Sequence, residues 1–246
     1  MAFNPEQFQA IIDKLNAGLE TISKFVTDIG PKVESAVNHW FIPDGVAQAC
    51  VWIINKVIKA VNWVIAKLVD IMMGAYAPAI VFYNSVTWQG EEIRGKASGV
   101  ASSTQKFNLT APKYWEGEGA TAYTNAVFPQ SAASAQVASS AGTVSGCLAA
   151  CGVAGCAFYA AVAIFVAQLI PVLAASTAAV TTVVGIPAAG AAAAAEATLG
   201  PAVIGGAAVA LLSIIGAEAT TFSELTGEST DKSAFPNGGH WPVGTV

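Results

Sequence analysis

Between Gly119 and Ala195 the chain carries no Lys, Arg, Asp or Glu. An ordinary soluble protein has about a quarter of its residues charged, and a run this long without any charge makes a poor water-facing surface. It has to be buried in protein, covered by a partner or placed in lipid. The whole chain leans the same way: 54% of its residues are hydrophobic, 11% are charged, and the mean hydropathy is +0.56. A net charge of −5 offers no electrostatic basis for binding nucleic acid or an anionic membrane surface. Membrane contact, on this reading, is driven by apolar area.

Two apolar segments stand out. Residues 157–184 are uncharged and exceed the roughly 20 residues that span a hydrocarbon core about 30 Å thick, although Pro171 is expected to interrupt them. Residues 202–216 (AVIGGAAVALLSIIG) form a second, shorter run. Its Gly205-Gly206 pair and its alanines permit close helix contact. A Gly/Pro-bounded connection over 185–201 links the two. Residues 157–217 are therefore expected to form an apolar helical hairpin, either spanning a bilayer or buried at the centre of a bundle. Phe158, Phe165, Val166, Leu169, Leu173, Val183, Ile204, Gly205, Gly206, Leu211 and Ile214 are its candidate membrane or oligomer interface.

The front of the chain is amphipathic. Asn4-Pro5-Glu6 is a helix start, with Asn as cap and Pro at the first helical position. Phe8, Ile11, Ile12, Leu15, Leu19, Ile22, Val26 and Ile29 then recur at spacings of three and four, one stripe on a helix expected to end near Gly30-Pro31. PKVESAVNHW reads as a short second piece. Residues 46–73 predict a long helix whose apolar arc is wider than a surface helix needs. It is either a nearly central bundle helix with a narrow wet strip or an amphipathic helix in a membrane interface. These helices make up a first region, 1–78. The first residues show no basic segment, apolar stretch and small-residue site of a cleaved signal. At the other end, residues 218–246 are polar and rich in Gly, Pro, Ser and Thr, and are expected to form a flexible tail.

Residues 79–156 are expected to form a helical hairpin around a turn at 112–119. The helix from about residue 80 to 110 should stop before Pro112, and Pro129 should kink or restart the one after the turn. The turn reads W-E-G-E-G-A-T-A-Y: Trp115, Gly117, Gly119, Ala122 and Tyr123. The glycines permit chain reversal, and the Trp ring can close the end of a helix pair. The spacing W-x-G-x-G-x-x-A-Y resembles that of the WXG100 superfamily, small helical hairpins exported by ESX or type VII secretion systems of actinobacteria and related bacteria. Trp88-Gln-Gly90 is a second W-x-G, but nothing after it repeats the pattern.

That resemblance implies an all-α, elongated antiparallel bundle, export by the type VII machinery, a secreted or cell-surface and membrane-associated location in an actinobacterium, and assembly with a WXG100-type partner or a second copy. Family hairpins often carry a Y-x-x-x-[DE] export signal after the second helix. The match here, Tyr114 to Glu118, overlaps the turn instead, which leaves the signal to a partner. The two N-terminal helices would then pack on the Trp115 hairpin and complete four helices within one chain.

No catalytic constellation is visible. His39 and His240 lie in no known motif, Glu116 and Glu118 read as solvated, and no phosphate-binding glycine loop is present. Cys50, Cys147, Cys151 and Cys156 lack the Cys/His spacing of a zinc site and read as small apolar residues, with a disulfide among the last three left open. The expectation is a non-enzyme with no cofactor, no metal, no nucleic-acid partner and no small-molecule substrate. Its partner would be membrane lipid, into which an apolar hairpin inserts to form a pore or channel. The alternative is a non-catalytic structural or interaction protein whose apolar half is an oligomer interface.

Overall fold

The computed structural model describes residues 4–38, 43–179, 185–235 and 238–243. Among these the chain is helical with no strand. Its helices are α1 (Pro5–Val37), α2 (Asp44–Met73), α3 (Ala77–Gln89), α4 (Lys96–Ser103), α5 (Glu118–Val127), α6 (Pro129–Ala179) and α7 (Gly185–Glu228), with a π-helical turn at Glu91–Gly95 and a 3-10 turn at Ala111–Lys113. The chain divides into two compact units. Met1–Ala77 joins Ala154–Leu212 in the first, and Pro78–Val153 joins Ser213–Val246 in the second.

In the first unit α1 starts as its sequence dictates. The Asn4 carboxamide oxygen accepts the amide protons of Glu6 (3.0 Å) and Gln7 (3.2 Å), covering two of the donors that a helix N-terminus leaves open. Phe8, Ile12, Leu15, Ile22, Phe25 and Ile29 are buried along one stripe. On α2 the buried residues are Cys50, Ile54, Val57, Val61, Val64 and Leu68. Their alternating spacing of four and three is the seam of a helix packed along its length on another. Tyr159 on α6 fixes the directions. Its ring meets Phe8 edge-on at 5.8 Å, and its hydroxyl donates to the Ile71 carbonyl at 2.8 Å. The start of α1 and the end of α2 therefore meet one side chain, so the two helices run antiparallel. Further along, a Cβ on Gly18 would collide with Val166 and touch Ile170. Tyr159 beside Phe8 and Val166 beside Gly18 place this part of α6 parallel to α1.

In the second unit, contacts pair ascending residues of α3 and α4 with descending residues of α6. Gly152 lies against Pro78 and Phe82. Ser145 Oγ donates to the Ser85 carbonyl at 2.9 Å, and Ser131 Oγ donates to the Ala101 carbonyl at 2.8 Å. The two sides are antiparallel, joined through the Trp115 turn. Small residues on α6 make this approach possible, and the buried serine hydroxyls find carbonyl acceptors across it.

Two expectations are corrected. Pro31 does not end the first helix. α1 continues to Val37 because Val33, Ala36 and Val37 extend the buried stripe, and their burial outweighs one lost backbone hydrogen bond. Pro171 and Pro201 likewise lie inside α6 and α7, and the expected connection over 185–201 is helical, as its alanines favour. α1 and α2 fall in one compact unit with 154–212. The polar end, expected to form a flexible tail, begins as helix and makes contacts over its described residues. α7 runs to Glu228, Gln130 Nε2 donates to the Pro242 carbonyl at 3.0 Å, and the Phe235 and Trp241 rings lie 6.3 Å apart. The Asp231 carboxylate accepts the Ser233 amide at 2.8 Å, a bond that draws its pKa below the ordinary carboxylate value.

Candidate functional site

The turn at residues 112–119 is built from local backbone constraints. Pro112 opens the 3-10 turn, and Leu109 is buried just before it. Gly117 then takes φ 101° and ψ −171° as the cap of α5, a region essentially restricted to glycine. Its carbonyl accepts the Thr121 amide at 3.2 Å. Two residues on, a Cβ at Gly119 would fall 2.7 Å from Trp115 Cζ2; the indole packs where glycine leaves space. Tyr123 adds its ring 6.1 Å from that of Trp115, tilted by 50°. Four members of the W-x-G-x-G-x-x-A-Y spacing thus have physical roles: a ring, a backbone reversal, a gap beneath the ring and a second ring one helical turn later.

Ala122 has no such role, since it is exposed. The side of α5 that is buried is Ala120, Thr124 and Val127, a stripe that motif matching passed over. Trp115 remains 48% exposed, so it half-covers the turn and leaves part of its indole face open to solvent. Gly90 has φ −72°, an angle any residue adopts, so the second W-x-G makes no comparable turn.

The candidate interface residues separate into two groups. Phe165, Val166, Leu169, Leu173 and Ile204 are buried within the first unit, with Phe165 against Gly200, where a Cβ would come within 2.8 Å of its Cζ. Phe158 and Leu211 are half-buried, whereas Gly205, Gly206 and Ile214 are exposed. Val183, like His39, lies outside the described residues. The buried group is core that the chain covers itself, which removes it from any surface offered to lipid or to a second copy without rearrangement. Tyr159, which ties α1, α2 and α6 together, was not marked by hydropathy, which weighs its neighbour Phe158 as apolar and discounts a tyrosine for its hydroxyl.

Among the described residues, three helical stretches are long and apolar enough to cross a membrane: Asp44–Ser103, Glu118–Ala178 and Gly200–Glu228. Of their most apolar windows, 22%, 33% and 6% respectively is buried. The last figure separates α7 from the rest. Leu212 is 65% exposed and Ile215 43%, and a Cβ added at Gly205, Gly206 or Gly216 would meet nothing within 4 Å. Such a helix keeps a continuous apolar face in water, a feature that marks interaction or membrane sites.

The cysteines are free; Cys50 and Cys147 are buried and Cys151 and Cys156 half-buried. Among the described residues no group of three or more His, Cys, Asp or Glu is placed to hold a metal ion. An open cleft of about 560 Å³ in the second unit is lined by Trp88, Val137, Phe222, Leu225 and Phe235, with Glu228 and Asp231 among its polar residues. No family model, curated protein or solved structure matches the chain.

Proposed function

We propose that this chain is a WXG100-like protein exported by a type VII secretion machinery, and that its apolar segment 157–217 enters a lipid bilayer and assembles there into a pore or channel. The observation that carries the membrane part is the 6% burial of the most apolar window of α7. A helix already presenting Leu212, Ile214 and Ile215 to water gives up few protein contacts on moving into lipid. The α6 part is different: Val166, packed at Gly18 of α1, and the buried Phe165 and Leu169 must leave the core of the first unit to insert. Because lipid is about as apolar as a protein core, that exchange is close to balanced, and a modest trigger tips it. The type VII part rests on the Trp115–Tyr123 spacing and on the physical roles its residues take in the turn.

A second reading is supported by the exposed Gly205-Gly206 platform. Another helix can approach closely there, so the same face suits an oligomer interface in a structural protein of a cell-surface or secretion assembly.

Dye leakage from vesicles tests the first reading. Leu212 lies mid-way along Gly200–Glu228, where an aspartate costs about 2.5–3.5 kcal/mol on insertion. Leu212→Asp should abolish leakage while the protein stays folded. Leakage at the wild-type rate would rule the mechanism out. Val166→Asp is unsuitable for this purpose, because Val166 is buried beside Gly18 and its loss would report unfolding.

A further inference from the structure

The overall charge of −5 conceals a local excess of the opposite sign. Between Asp44 and Asp70 the only charged residues are Lys56, Lys59 and Lys67. At 3.6 residues per turn, Trp52, Lys56, Lys59, Trp63 and Lys67 share one side of α2, opposite its buried seam of Ile54, Val57, Val61, Val64 and Leu68. All five are exposed, Trp52 to 63%. The Lys56 ammonium lies 5.4 Å from the Trp52 ring centroid, and Lys67 pairs with Asp70 at 3.1 Å. Among the described residues neither Lys56 nor Lys59 has a carboxylate partner.

We infer that this outer face of α2 is a docking surface for an anionic lipid bilayer, on which α2 lies in the plane of the headgroups. The inference rests on the proposed membrane role for the identity of its occupant, and it adds lipid selectivity to that role. Two tryptophans give amphipathic rings that prefer the headgroup boundary. The lysines have stems long enough to leave their ammonium groups among phosphates while the ring bodies sink deeper. α2 is long enough to span, but Lys56 and Lys59 stand near the middle of Asp44–Met73; a spanning α2 would hold two ammonium groups at the bilayer midplane, where charge is most costly. Lying flat avoids that and leaves the seam with α1 intact. The complementarity is therefore local, and it is selective for headgroups of negative charge.

Flotation of the full chain with phosphatidylcholine vesicles, with and without phosphatidylglycerol, tests this. The wild type should partition more strongly onto the anionic vesicles, and added salt should reduce the preference. Lys56→Gln/Lys59→Gln should lower partitioning onto anionic vesicles roughly 30-fold with unchanged helicity by circular dichroism, both side chains being exposed. Trp52→Ala/Trp63→Ala should weaken binding to both vesicle types. Equal partitioning of the wild type onto neutral and anionic vesicles, or equal binding by the double-glutamine variant, overturns the inference even if leakage proceeds. Anionic binding without leakage supports the docking face and overturns the pore. Binding of the wild type to neither vesicle overturns both.

Discussion

Two apolar helical segments with much the same composition end in opposite environments. On α6, residues 159–173 bury Tyr159, Val162, Phe165, Val166, Leu169 and Leu173, whereas among the described side chains of α7 beyond Gly200 only Ile204 among the large apolar residues is buried. The contrast comes from what each meets. The α6 segment faces the stripes of α1 and α2, including Gly18, whose missing Cβ lets Val166 in. Along residues 205–216 of α7 the large apolar side chains Leu212, Ile214 and Ile215 stay exposed instead. Apolar composition thus sets how much surface a helix must hide, while complementary stripes decide whether the chain hides it itself.

Substitutions of like chemistry in the two segments should give unlike results, and the largest expected effect comes first. Leu169→Asp would bury an unpaired carboxylate at a site with no measurable exposure. A cost above 4 kcal/mol is expected, in the range reserved for buried charge, and it should appear as loss of the cooperative thermal transition. Leu212→Asp on α7 should stay within about 0.5 kcal/mol of wild type in the same melt. Equal destabilisation by the two would erase the distinction between the segments.

Gly18→Ala sharpens the comparison from the side of α1. The added methyl runs into Val166, and overpacking of this kind costs about 1–3 kcal/mol. The paired change Gly18→Ala/Val166→Ala should recover part of the loss, readable as a coupling energy in a double-mutant cycle. The same substitution at Gly206, where space is open, should be neutral or slightly stabilising through helix propensity.

Gly117→Ala is expected to cost about 1–3 kcal/mol, because alanine would be held at φ 101° in a region that belongs to glycine. Gly90→Ala should cost less, although it too sits in a W-x-G. Denaturant titration of both variants measures the difference directly. Smallest is Tyr159→Phe, which removes the hydroxyl that donates to Ile71 and should cost about 0.5–1.5 kcal/mol.

Much of this was legible in the sequence, and the failures have identifiable causes. The Asn4 cap, the α1 stripe, α2 and the reversal at Gly117 all follow from local rules, since each is decided by residues within a turn or two. Pro31, Pro171 and Pro201 misled because local rules weigh a proline against one hydrogen bond and not against a stripe that continues beyond it. Hydropathy listed Phe165, Val166, Leu169, Gly205 and Ile214 together because it measures apolarity without regard to partner. The placement of residues 229–235 and 238–243 was missed for the same reason. It involves Gln130 donating to the Pro242 carbonyl across a long separation in sequence, beside a local pairing of the Phe235 and Trp241 rings.

Hydrogen–deuterium exchange across residues 203–216 of α7, with and without vesicles, tests most directly whether this exposed apolar face is meant for lipid. The account predicts that vesicles slow exchange over this segment and that raising protein concentration without lipid does not. Exchange unaffected by vesicles, or slowed by protein concentration alone, would contradict it, and the latter result would assign the face to a second copy of the chain.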